Sequence, residues 1–266
     1  MIPMEQRKEL TMSYITCTKE GLVARIRIHR PEALNALNGE IIQDLDTILD
    51  DLGADPQIRV VILHNGDNFA AGADIANMAD YNVDQAFAFT FTRTFNKLED
   101  LNKITIAAME GFALGGGLEL ALACDFRIAG AKTRMAFPEI NIGIMPGSGG
   151  TVRAARLMNV AKAKEMIFFG SRIGAEEAER YGLINRMVPE GQALATAEEW
   201  AAKLLQQPFV ALQTAKATMN RAANMANVQE ACDMERENWA ELFRTEDQKE
   251  GMHAFLEKRK PAYKGR

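Results

Sequence analysis

Two glutamates are candidates for acid–base chemistry because each follows residues that fix the local backbone. Glu119 comes directly after Gly115-Gly116-Gly117-Leu118, and Glu139 comes directly after Pro138. Taken singly, Glu119 fits an acid that complements a helix dipole, and Glu139 fits a solvated turn residue or a helix cap. As a pair, an acid and a base flanking a polarised carbonyl can add water across a double bond or remove it. The pair therefore favours general acid–base catalysis.

The glycine stretch predicts an anion site beside Glu119. Gly115–Gly117 opens an apolar helical segment, Leu118–Cys124, whose first N–H groups and positive dipole end are available to an oxyanion. Because this segment is apolar on nearly every face, we expect the helix and Glu119 to be buried. A buried carboxylate needs a partner or a function.

A second turn of small residues strengthens the prediction of an anion site. Phe69–Asp74 follows a predicted strand at Val60–Leu63, just as the glycine stretch follows one at Ile104–Ala108. Two such turns can aim two backbone N–H groups at one oxygen, which is how an oxyanion hole is built. The alternative is a pair of tight turns whose glycines only allow close backbone approach.

Several other motifs are excluded by their spacing. Gly115-x-Gly117 has Leu120 where a dinucleotide fingerprint needs a third small residue, and Gly147–Thr151 lacks the lysine of a P-loop. Ser148 lacks the GxSxG frame of a nucleophile elbow and is assigned to a loop. Asp74 is interpreted as a helix N-cap rather than as a catalytic acid.

The histidines show no metal-binding pattern. His29, His64 and His253 lack ligand spacing and are interpreted as structural, so no metal site is predicted. The methionines are mostly core residues, and Met78 and Met145 are the two that we expect at an acyl pocket.

Composition bounds the class of protein. The chain has 266 residues, a formal charge of −5, 47% hydrophobic and 25% charged residues, which is typical of a globular protein with one domain, or one domain and an appendage. The negative charge and the absence of a basic run argue against nucleic acid and anionic membranes as partners, and no apolar stretch is long enough to span a bilayer. Cys17, Cys124 and Cys232 show no disulfide framework, which favours a reducing cytoplasm. Met1–Ser13 resembles no targeting signal and is predicted to be disordered.

Period-2 and period-3.6 patterns alternate along the first 206 residues. The predicted strands are Val23–Ile28, Val60–Leu63, Ile104–Ala108 and Phe126–Ala129, and the predicted helices are Ile41–Leu52 and Thr151–Phe169. This alternation predicts an α/β fold. After Pro208 only helical patterns remain, so we place a boundary near Gln206, with a core at 13–206 and a helical region at 207–266. The patterns alone leave open whether this region packs on its own core or on a neighbouring subunit.

At the two glutamates and the turns of small residues around them, the chain resembles the crotonase superfamily, and within it the enoyl-CoA hydratases. The resemblance runs nearly end to end. The matching segments are 30–37, 69–75, 111–119, 138–139, 143–151 and 250–259, including Arg30-Pro31-Glu32-Ala33-Leu34-Asn35-Ala36-Leu37 and Gly143-Ile144-Met145-Pro146-Gly147-Ser148-Gly149-Gly150-Thr151. Their specificity is high for the superfamily and lower for the reaction.

The resemblance implies an α/β, crotonase-like spiral of ββα units followed by a C-terminal helical trimerisation region. Trimers of this family often pair into hexamers. The substrate would be an acyl-CoA thioester, with coenzyme A as part of the substrate and no permanently bound cofactor or metal.

The resemblance also assigns roles to individual residues. The N–H groups of Ala73 and Gly116 would form the oxyanion hole for the thioester oxygen. Glu119 would activate water for attack at the β-carbon, and Glu139 would exchange the proton at the α-carbon. Residues expected along the CoA path are Ala33, Ala71, Asp74 and Ile75, with Phe255 and Lys258 reaching a neighbour's CoA.

Because hydratases of this family use two glutamates, the resemblance together with Glu119 and Glu139 implies a hydratase that adds water syn to trans-2-enoyl-CoA and gives 3-hydroxyacyl-CoA. The alternatives are a Δ3,Δ2-enoyl-CoA isomerase or another crotonase-family reaction, and, in a different class, an RNA-binding or assembly protein of this fold, against which the acidic charge counts. Glu32 and Ala76 stand where some members carry lysines near the CoA phosphates, which leaves Arg30 and Lys258 as candidate contacts.

Overall fold

The alternation of strand and helix patterns folds into ten strands and eleven helices within residues 7–89 and 91–266, the part of the chain that this computed structural model describes. The strands are β1 Arg7–Thr11, β2 Ile15–Glu20, β3 Val23–Ile28, β4 Val60–His64, β5 Ile104–Met109, β6 Phe112–Leu114, β7 Phe126–Gly130, β8 Arg134–Ala136, β9 Ile173–Gly174 and β10 Arg186–Val188. The helices are α1 Gly39–Ala54, α2 Val83–Ala88, α3 Thr92–Glu99, α4 Gly116–Leu122, α5 Gly150–Leu157, α6 Val160–Phe169, α7 Ala175–Arg180, α8 Ala193–Leu204, α9 Phe209–Ala222, α10 Val228–Glu241 and α11 Glu246–Leu256. The four strands predicted from the sequence are confirmed as β3, β4, β5 and β7.

The main sheet has seven strands in the order β1-β2-β3-β4-β5-β7-β10. Strands β1, β2 and β3 pair antiparallel, and the pairs from β3 through β10 are parallel. All six residues of β5 are buried, as expected for a central strand covered on both faces. Because parallel strands end at the same edge, the loops after β4, β5 and β7 meet there.

A second, smaller sheet lies at that edge, with the order β6-β8-β9. The chain passes from β5 to β6 and then into α4, and from β7 to β8 and then towards α5. In each of these repeats a candidate acid follows the second strand. Glu119 lies in α4 after β6, and Glu139 lies in the 3-10 helix Pro138–Ile142 after β8. The loop after β4 joins the small sheet through a bridge between Ala70 and Ala113.

Helix α1 illustrates how the amphipathic pattern determines packing. The side chain of Asn38 accepts a hydrogen bond from the Ile41 amide (2.9 Å) and begins the helix. The predicted apolar face is confirmed, since all five of its residues are buried: Ile41, Leu45, Ile48, Leu49 and Leu52. Each such side chain stabilises the fold by roughly 1.5–3 kcal/mol relative to an exposed one. On the opposite face of the sheet, α8 buries Ala193, Ala197 and Ala201.

Two expectations about local structure are wrong. Residues 7–11 of the segment predicted to be disordered form β1, which pairs with β2, whereas residues 1–6 lie outside the described residues. The helical period over Thr151–Phe169 is divided between α5 and α6. The division lies at Asn159, whose side chain accepts a hydrogen bond from the Ala161 amide (2.8 Å) and caps a new helix.

The region after Pro208 is helical, as predicted, and α9 attaches to the core through polar contacts. Lys216 Nζ donates to Asp125 Oδ2 (2.9 Å), and Asn220 Nδ2 donates to the Glu99 carbonyl (3.0 Å). Helix α10 has no buried residue, and Trp239 on it is 59% exposed. In the described part of the chain, the helices are too short or too polar to cross a membrane.

Candidate active site

The glycine stretch turns the chain from β6 into α4 and places Glu119 in a buried position. Gly115 occupies the N-cap of α4 with φ +47°, a left-handed conformation that favours glycine. All seven residues of α4 are buried, and Glu119 is 3% exposed. The sequence prediction of a buried helix that carries a buried carboxylate is therefore confirmed.

Glu119 is held by backbone amides at the start of α5. Its Oε1 atom accepts hydrogen bonds from the Ser148 amide (2.8 Å) and the Gly150 amide (2.8 Å). Burial raises the pKa of Glu119, while these two amides and the charge of Arg153 partly offset that shift. The result is a fixed carboxylate that is more basic than one in water.

Glu139 differs from Glu119 because its carboxylate is poorly satisfied. It lies in the 3-10 helix Pro138–Ile142 that follows β8, and its Oε2 atom is buried without a hydrogen-bond partner in the described residues. Burial raises the pKa of Glu139 to about 7, and the charge of Glu119 acts in the same direction. Glu139 is therefore suited to give and take a proton near neutral pH.

The two carboxylates meet at the N-terminus of α4. A Cβ built on Gly115 would lie 2.8 Å from Glu139 Oε1, so this carboxylate is packed directly on the helix start. The Glu119 amide donates to the Gly115 carbonyl (2.9 Å), which places Glu119 one turn further along the same helix. The sequence predicted the pair, and the structure brings the two residues together.

Two amides beside this pair donate to no acceptor in the described part of the protein. A Cβ built on Gly116 would lie 3.6 Å from the Ala73 nitrogen, so the two turns that the sequence singled out are neighbours. Within residues 7–89 and 91–266, neither the Ala73 amide nor the Gly116 amide donates a hydrogen bond to the protein. The turns are held together by the Ala70 amide, which donates to Phe112 O (2.9 Å), and by the Leu114 amide, which donates to Ala70 O (3.0 Å).

Four of the residues expected to contact CoA lie on one rim. Segments 33–37 and 71–75 run side by side, since the Ala71 amide donates to Leu34 O (3.1 Å) and the Asp74 amide donates to Leu37 O (2.8 Å). This rim carries the half-buried Ala33 and Ala71, with Ile75 46% exposed.

The prediction that the Asp74 side chain caps a helix is wrong. It precedes the 3-10 helix Ile75–Asn77, but its side chain makes no capping hydrogen bond. Asp74 Oδ2 instead accepts from Arg30 Nη1 (2.8 Å), and the same Arg30 nitrogen donates to Ala36 O (3.2 Å). This pair fastens the two rim segments together and engages Arg30, the arginine that the sequence had offered as a phosphate contact.

Phe255 and Lys258 lie at the end of α11, where Phe255 is 83% exposed and Lys258 has φ +55°. Helix α11 packs on the 3-10 helix Leu242–Arg244 and on the C-terminal tail, where the Asp247 carboxylate accepts from the Lys264 amide (2.6 Å). Within one protomer, no hydrogen bond between described residues links Phe255 or Lys258 to Glu119 or Glu139.

The histidines and the two methionines singled out from the sequence are not part of the Glu119–Glu139 pair. His29 and His253 are exposed and His64 is half-buried, with burial lowering the pKa of His64. Met78 is half-buried and Met145 is 65% exposed. No group of three or more potential metal ligands occurs in the described part of the chain.

Sequence reasoning missed the anchor of Glu119. It assigned Ser148 to a loop, which is correct, but did not identify the Ser148 and Gly150 amides as donors to the catalytic candidate. It also missed Phe91, whose ring lies 3.7 Å from a Cβ position at Gly116, and the buried Arg153. The available signal was Gly149-Gly150 at a helix start, which is a second potential anion site.

The arrangement can polarise a carbonyl with two amides beside a fixed carboxylate and a titrating one. Comparison with known proteins agrees with that chemistry. The model of the enoyl-CoA hydratase/isomerase family matches residues 18–266. A short-chain-enoyl-CoA hydratase from Clostridium acetobutylicum is 40% identical over 94% of this chain and 97% of the relative, and a crotonyl-CoA hydratase from Syntrophomonas wolfei is 38% identical over 92% and 96%.

A solved structure of an enoyl-CoA hydratase from Bacillus anthracis superimposes with a TM-score of 0.89 and 35% identity, over 96% of this chain and 100% of that one. The family resemblance and the α/β crotonase-type fold inferred from the sequence are thereby confirmed. The chain belongs to the enoyl-CoA hydratase/isomerase family.

Proposed function

We propose that the protein is an enoyl-CoA hydratase that reversibly adds water, syn, to trans-2-enoyl-CoA and gives 3-hydroxyacyl-CoA. The observation that carries the proposal is the unequal pair of glutamates at the start of α4. Glu119 is fixed by two amides, whereas Glu139 Oε2 accepts no hydrogen bond from the described residues and burial raises the pKa of Glu139 to about 7. The names of the relatives from Clostridium and Syntrophomonas support the same reaction.

The chemistry begins with the thioester carbonyl between the amides of Ala73 and Gly116. Hydrogen bonds from both amides withdraw electrons from the conjugated double bond and stabilise the enolate that forms when oxygen adds to the β-carbon. Glu119 accepts a proton from the attacking water. Glu139 delivers a proton to the α-carbon, and the enolate collapses to the saturated thioester.

The proposed proton transfers balance over one turnover. Water supplies a hydroxyl group to the β-carbon and a proton to Glu119, while the α-carbon takes a proton from Glu139. The proton on Glu119 then passes, directly or through solvent, to restore the acid form of Glu139. Burial raises the pKa of Glu119 and raises that of Glu139 to about 7, which supports this exchange because both carboxyls hold a proton more readily than a carboxyl in water does.

The CoA portion of the substrate is proposed to lie along the rim formed by Ala33, Ala71, Asp74 and Ile75. The paired segments there carry two small, half-buried side chains, Ala33 and Ala71, beside the exposed Ile75. No resident cofactor is part of this proposal, because CoA enters and leaves with the substrate. Phe255 and Lys258 are proposed to contact the CoA of a neighbouring subunit.

A trimer, or a hexamer of two trimers, is the proposed assembly. The support is a set of large apolar side chains left exposed in a single protomer on α5, α6 and the helices after residue 207: Val152 at 52%, Phe168 at 64%, Phe169 at 73%, Val228 at 75% and Leu256 at 75%. Exposed apolar area of this kind is typical of subunit contacts. On this proposal, residues 13–206 form the catalytic core and 207–266 the oligomerisation region. The cytoplasm is the proposed location, consistent with three cysteines that form no disulfide.

Crotonyl-CoA tests the proposed reaction. Loss of the conjugated enoyl-thioester absorbance should accompany formation of 3-hydroxybutyryl-CoA, and Glu119→Gln and Glu139→Gln should each reduce turnover by about a hundredfold or more. Wild-type turnover in either variant would contradict the mechanism. Tight acyl-CoA binding without hydration would contradict the reaction.

Double-bond isomerisation is a second candidate reaction. A single unpaired carboxylate such as Glu139 can carry a proton between two carbons of the same acyl chain. Offering a 3-enoyl-CoA and identifying the first product distinguishes the two, because an isomerase forms 2-enoyl-CoA without incorporating oxygen from water.

A further inference from the structure

Arg153 is a buried arginine to which the proposed mechanism gives no task. It lies in the first turn of α5 and is 7% exposed. Its Nε and Nη2 atoms donate to Glu99 Oε2 (3.2 and 2.6 Å), Nη2 donates to Asn96 Oδ1 (2.7 Å), and Nη1 donates to Ser148 O (3.1 Å). A buried guanidinium is costly unless it is paired and hydrogen-bonded in this way.

These contacts join two elements of the site. Glu99 and Asn96 belong to α3, whereas Ser148 belongs to the loop that holds Glu119. The peptide groups of this loop are fixed on both sides: the Ser148 carbonyl accepts from Arg153, and the Ser148 amide donates to Glu119. A displacement of the guanidinium would therefore move the donors that hold the carboxylate.

Helix α3 also reaches the proposed oxyanion site. The Phe91 amide donates to Ser148 Oγ (3.2 Å), and Thr92 Oγ1 donates to the Gly147 carbonyl (3.2 Å). The Phe91 ring approaches Gly116, whose amide is one of the two without an acceptor among the described residues. The start of α3 thus contacts the oxyanion site, and its last turn contacts Arg153.

The loop is shaped to admit the guanidinium. Gly149 has φ +106°, and a Cβ at this position would collide with the Arg153 side chain. A glycine is required there both by the backbone conformation and by the space that the arginine occupies.

We propose that Arg153 is a positioning residue for Glu119. It ties the loop 147–150 to α3, and so sets the distance between the water-activating carboxylate and the oxyanion site. This inference rests on the proposed hydratase function and goes beyond it, because Arg153 contacts neither the substrate nor the reacting atoms. Misplacing a catalytic group by about 1 Å costs on the order of a hundredfold in rate.

Because the two glutamates have different proposed tasks, a defect at Glu119 alone can be distinguished from a general loss of structure. Glu139 alone is proposed to exchange the α-proton, so exchange of the α-hydrogens of butyryl-CoA with D2O reports on its half of the site. Hydration of crotonyl-CoA needs both halves. A defect confined to Glu119 lowers hydration and spares exchange.

The experiment compares Arg153→Gln, Arg153→Lys and the matched control Arg156→Gln, an exposed arginine on the same helix. Arg153→Gln should lower kcat for hydration at least tenfold, leave KM within about twofold, and leave exchange within about twofold of wild type. Arg153→Lys should recover part of kcat, because it restores the charge without the planar set of donors. Arg156→Gln should match the wild type.

Three results would overturn the inference. They are unchanged hydration in Arg153→Gln, an equal loss of hydration and exchange, and no recovery by lysine. If Arg153→Gln does not fold, Glu99→Gln replaces it, since the Glu99 side chain is 38% exposed and its loss removes one arm of the contact. The same split, at smaller size, is expected there, and its absence would contradict the inference. A wild-type protein that exchanges the α-proton but does not hydrate crotonyl-CoA would refute the proposed function itself.

Discussion

The Glu139 carboxylate lies directly against the backbone of Gly115, with Oε1 2.8 Å from the position that a Cβ on this glycine would take. The two residues are far apart along the chain, and the contact exists because β6 and β8 pair in parallel and end together. Glu139 can therefore occupy this position because the residue at the N-cap of α4, Gly115, has no side chain.

Replacing Gly115 with alanine should displace Glu139. The new Cβ would meet the carboxylate, and alanine would have to adopt φ +47° with ψ −124°, a sparsely populated region that costs about 1–3 kcal/mol. We expect kcat for hydration to fall at least tenfold. Gly21→Ala is the matched control, since Gly21 has φ +58° and a Cβ there meets nothing within 4 Å. Equal activity in the two variants would show that the contact with Glu139 has no role in catalysis.

Gly116 allows the proposed oxyanion donor to be removed without a large change in packing. Gly116→Pro deletes the N–H at the first position of α4, where proline is tolerated. Losing one such donor typically costs about a hundredfold or more in turnover. Gly116→Ala keeps the N–H, and its Cβ would make ordinary contacts at 3.6 Å or more, so it should retain most of the activity. Equal kcat in both variants would refute the assignment of this amide.

The pH dependence of hydration should reflect Glu139. Its pKa is raised to about 7, and the proposed reaction consumes its acid form, so kcat/KM for hydration should decline as the pH rises through about 7. Dehydration of 3-hydroxybutyryl-CoA starts from the same pair with its single proton on Glu119, and the hydration equilibrium takes up no proton, so kcat/KM for dehydration should decline in parallel over the same range. In Glu139→Gln this limb should disappear from both directions. A decline with the same midpoint in Glu139→Gln would contradict the assignment of the proton donor.

The same shift has a consequence for stability. The folded protein holds a proton on Glu139 more tightly than the unfolded chain does, because the pKa of this carboxyl is about 7 in the folded state and 4.5 in the unfolded chain. Between pH 4.5 and about pH 7, unfolding therefore releases that proton. The stabilising contribution is therefore present at low pH and is lost as the pH rises through this window. Glu139→Gln should raise the melting temperature more at pH 8 than at pH 5. A larger gain at pH 5 would have the wrong sign for a buried, destabilised carboxylate.

Local patterns in the sequence were sufficient to predict four of the ten described strands, α1, and the buried helix that carries Glu119. The apolar face of Ile41–Leu52 and the glycines before Leu118 act within a few residues, where periodicity and backbone conformation decide the outcome. The break at Asn159 also had a local signal, an N-cap residue, but the apolar period continues across it and hid the division.

Contacts between distant segments could not be predicted in this way. Asp74 has the residue type and position of an N-cap, yet it pairs with Arg30, 44 residues earlier, because the two rim segments lie side by side. The contact of Arg153 with Glu99 spans 54 residues. Such partners are decided by how the sheets stack, which depends on the whole core.

Gly150 gives the most direct test of whether the anchor of Glu119 matters. A Cβ on this residue would lie 2.7 Å from Phe137 Cε1, 2.9 Å from Glu119 Oε1 and 2.9 Å from Pro146 Cβ. The aromatic ring and the proline are held in the surrounding structure, so the carboxylate or the loop must move in Gly150→Ala. We expect kcat for hydration to fall at least tenfold, because Glu119 loses its alignment with the oxyanion amides.

Gly147→Ala is the control for that substitution, since it alters the same loop at a position where a Cβ meets nothing within 4 Å. It should retain kcat within about twofold. The measurement is hydration of crotonyl-CoA, with α-proton exchange of butyryl-CoA beside it to show that the Glu139 half of the site is intact. If Gly150→Ala folds and hydrates as fast as Gly147→Ala does, then the position of Glu119 tolerates displacement, and the two amides serve the loop rather than the reaction.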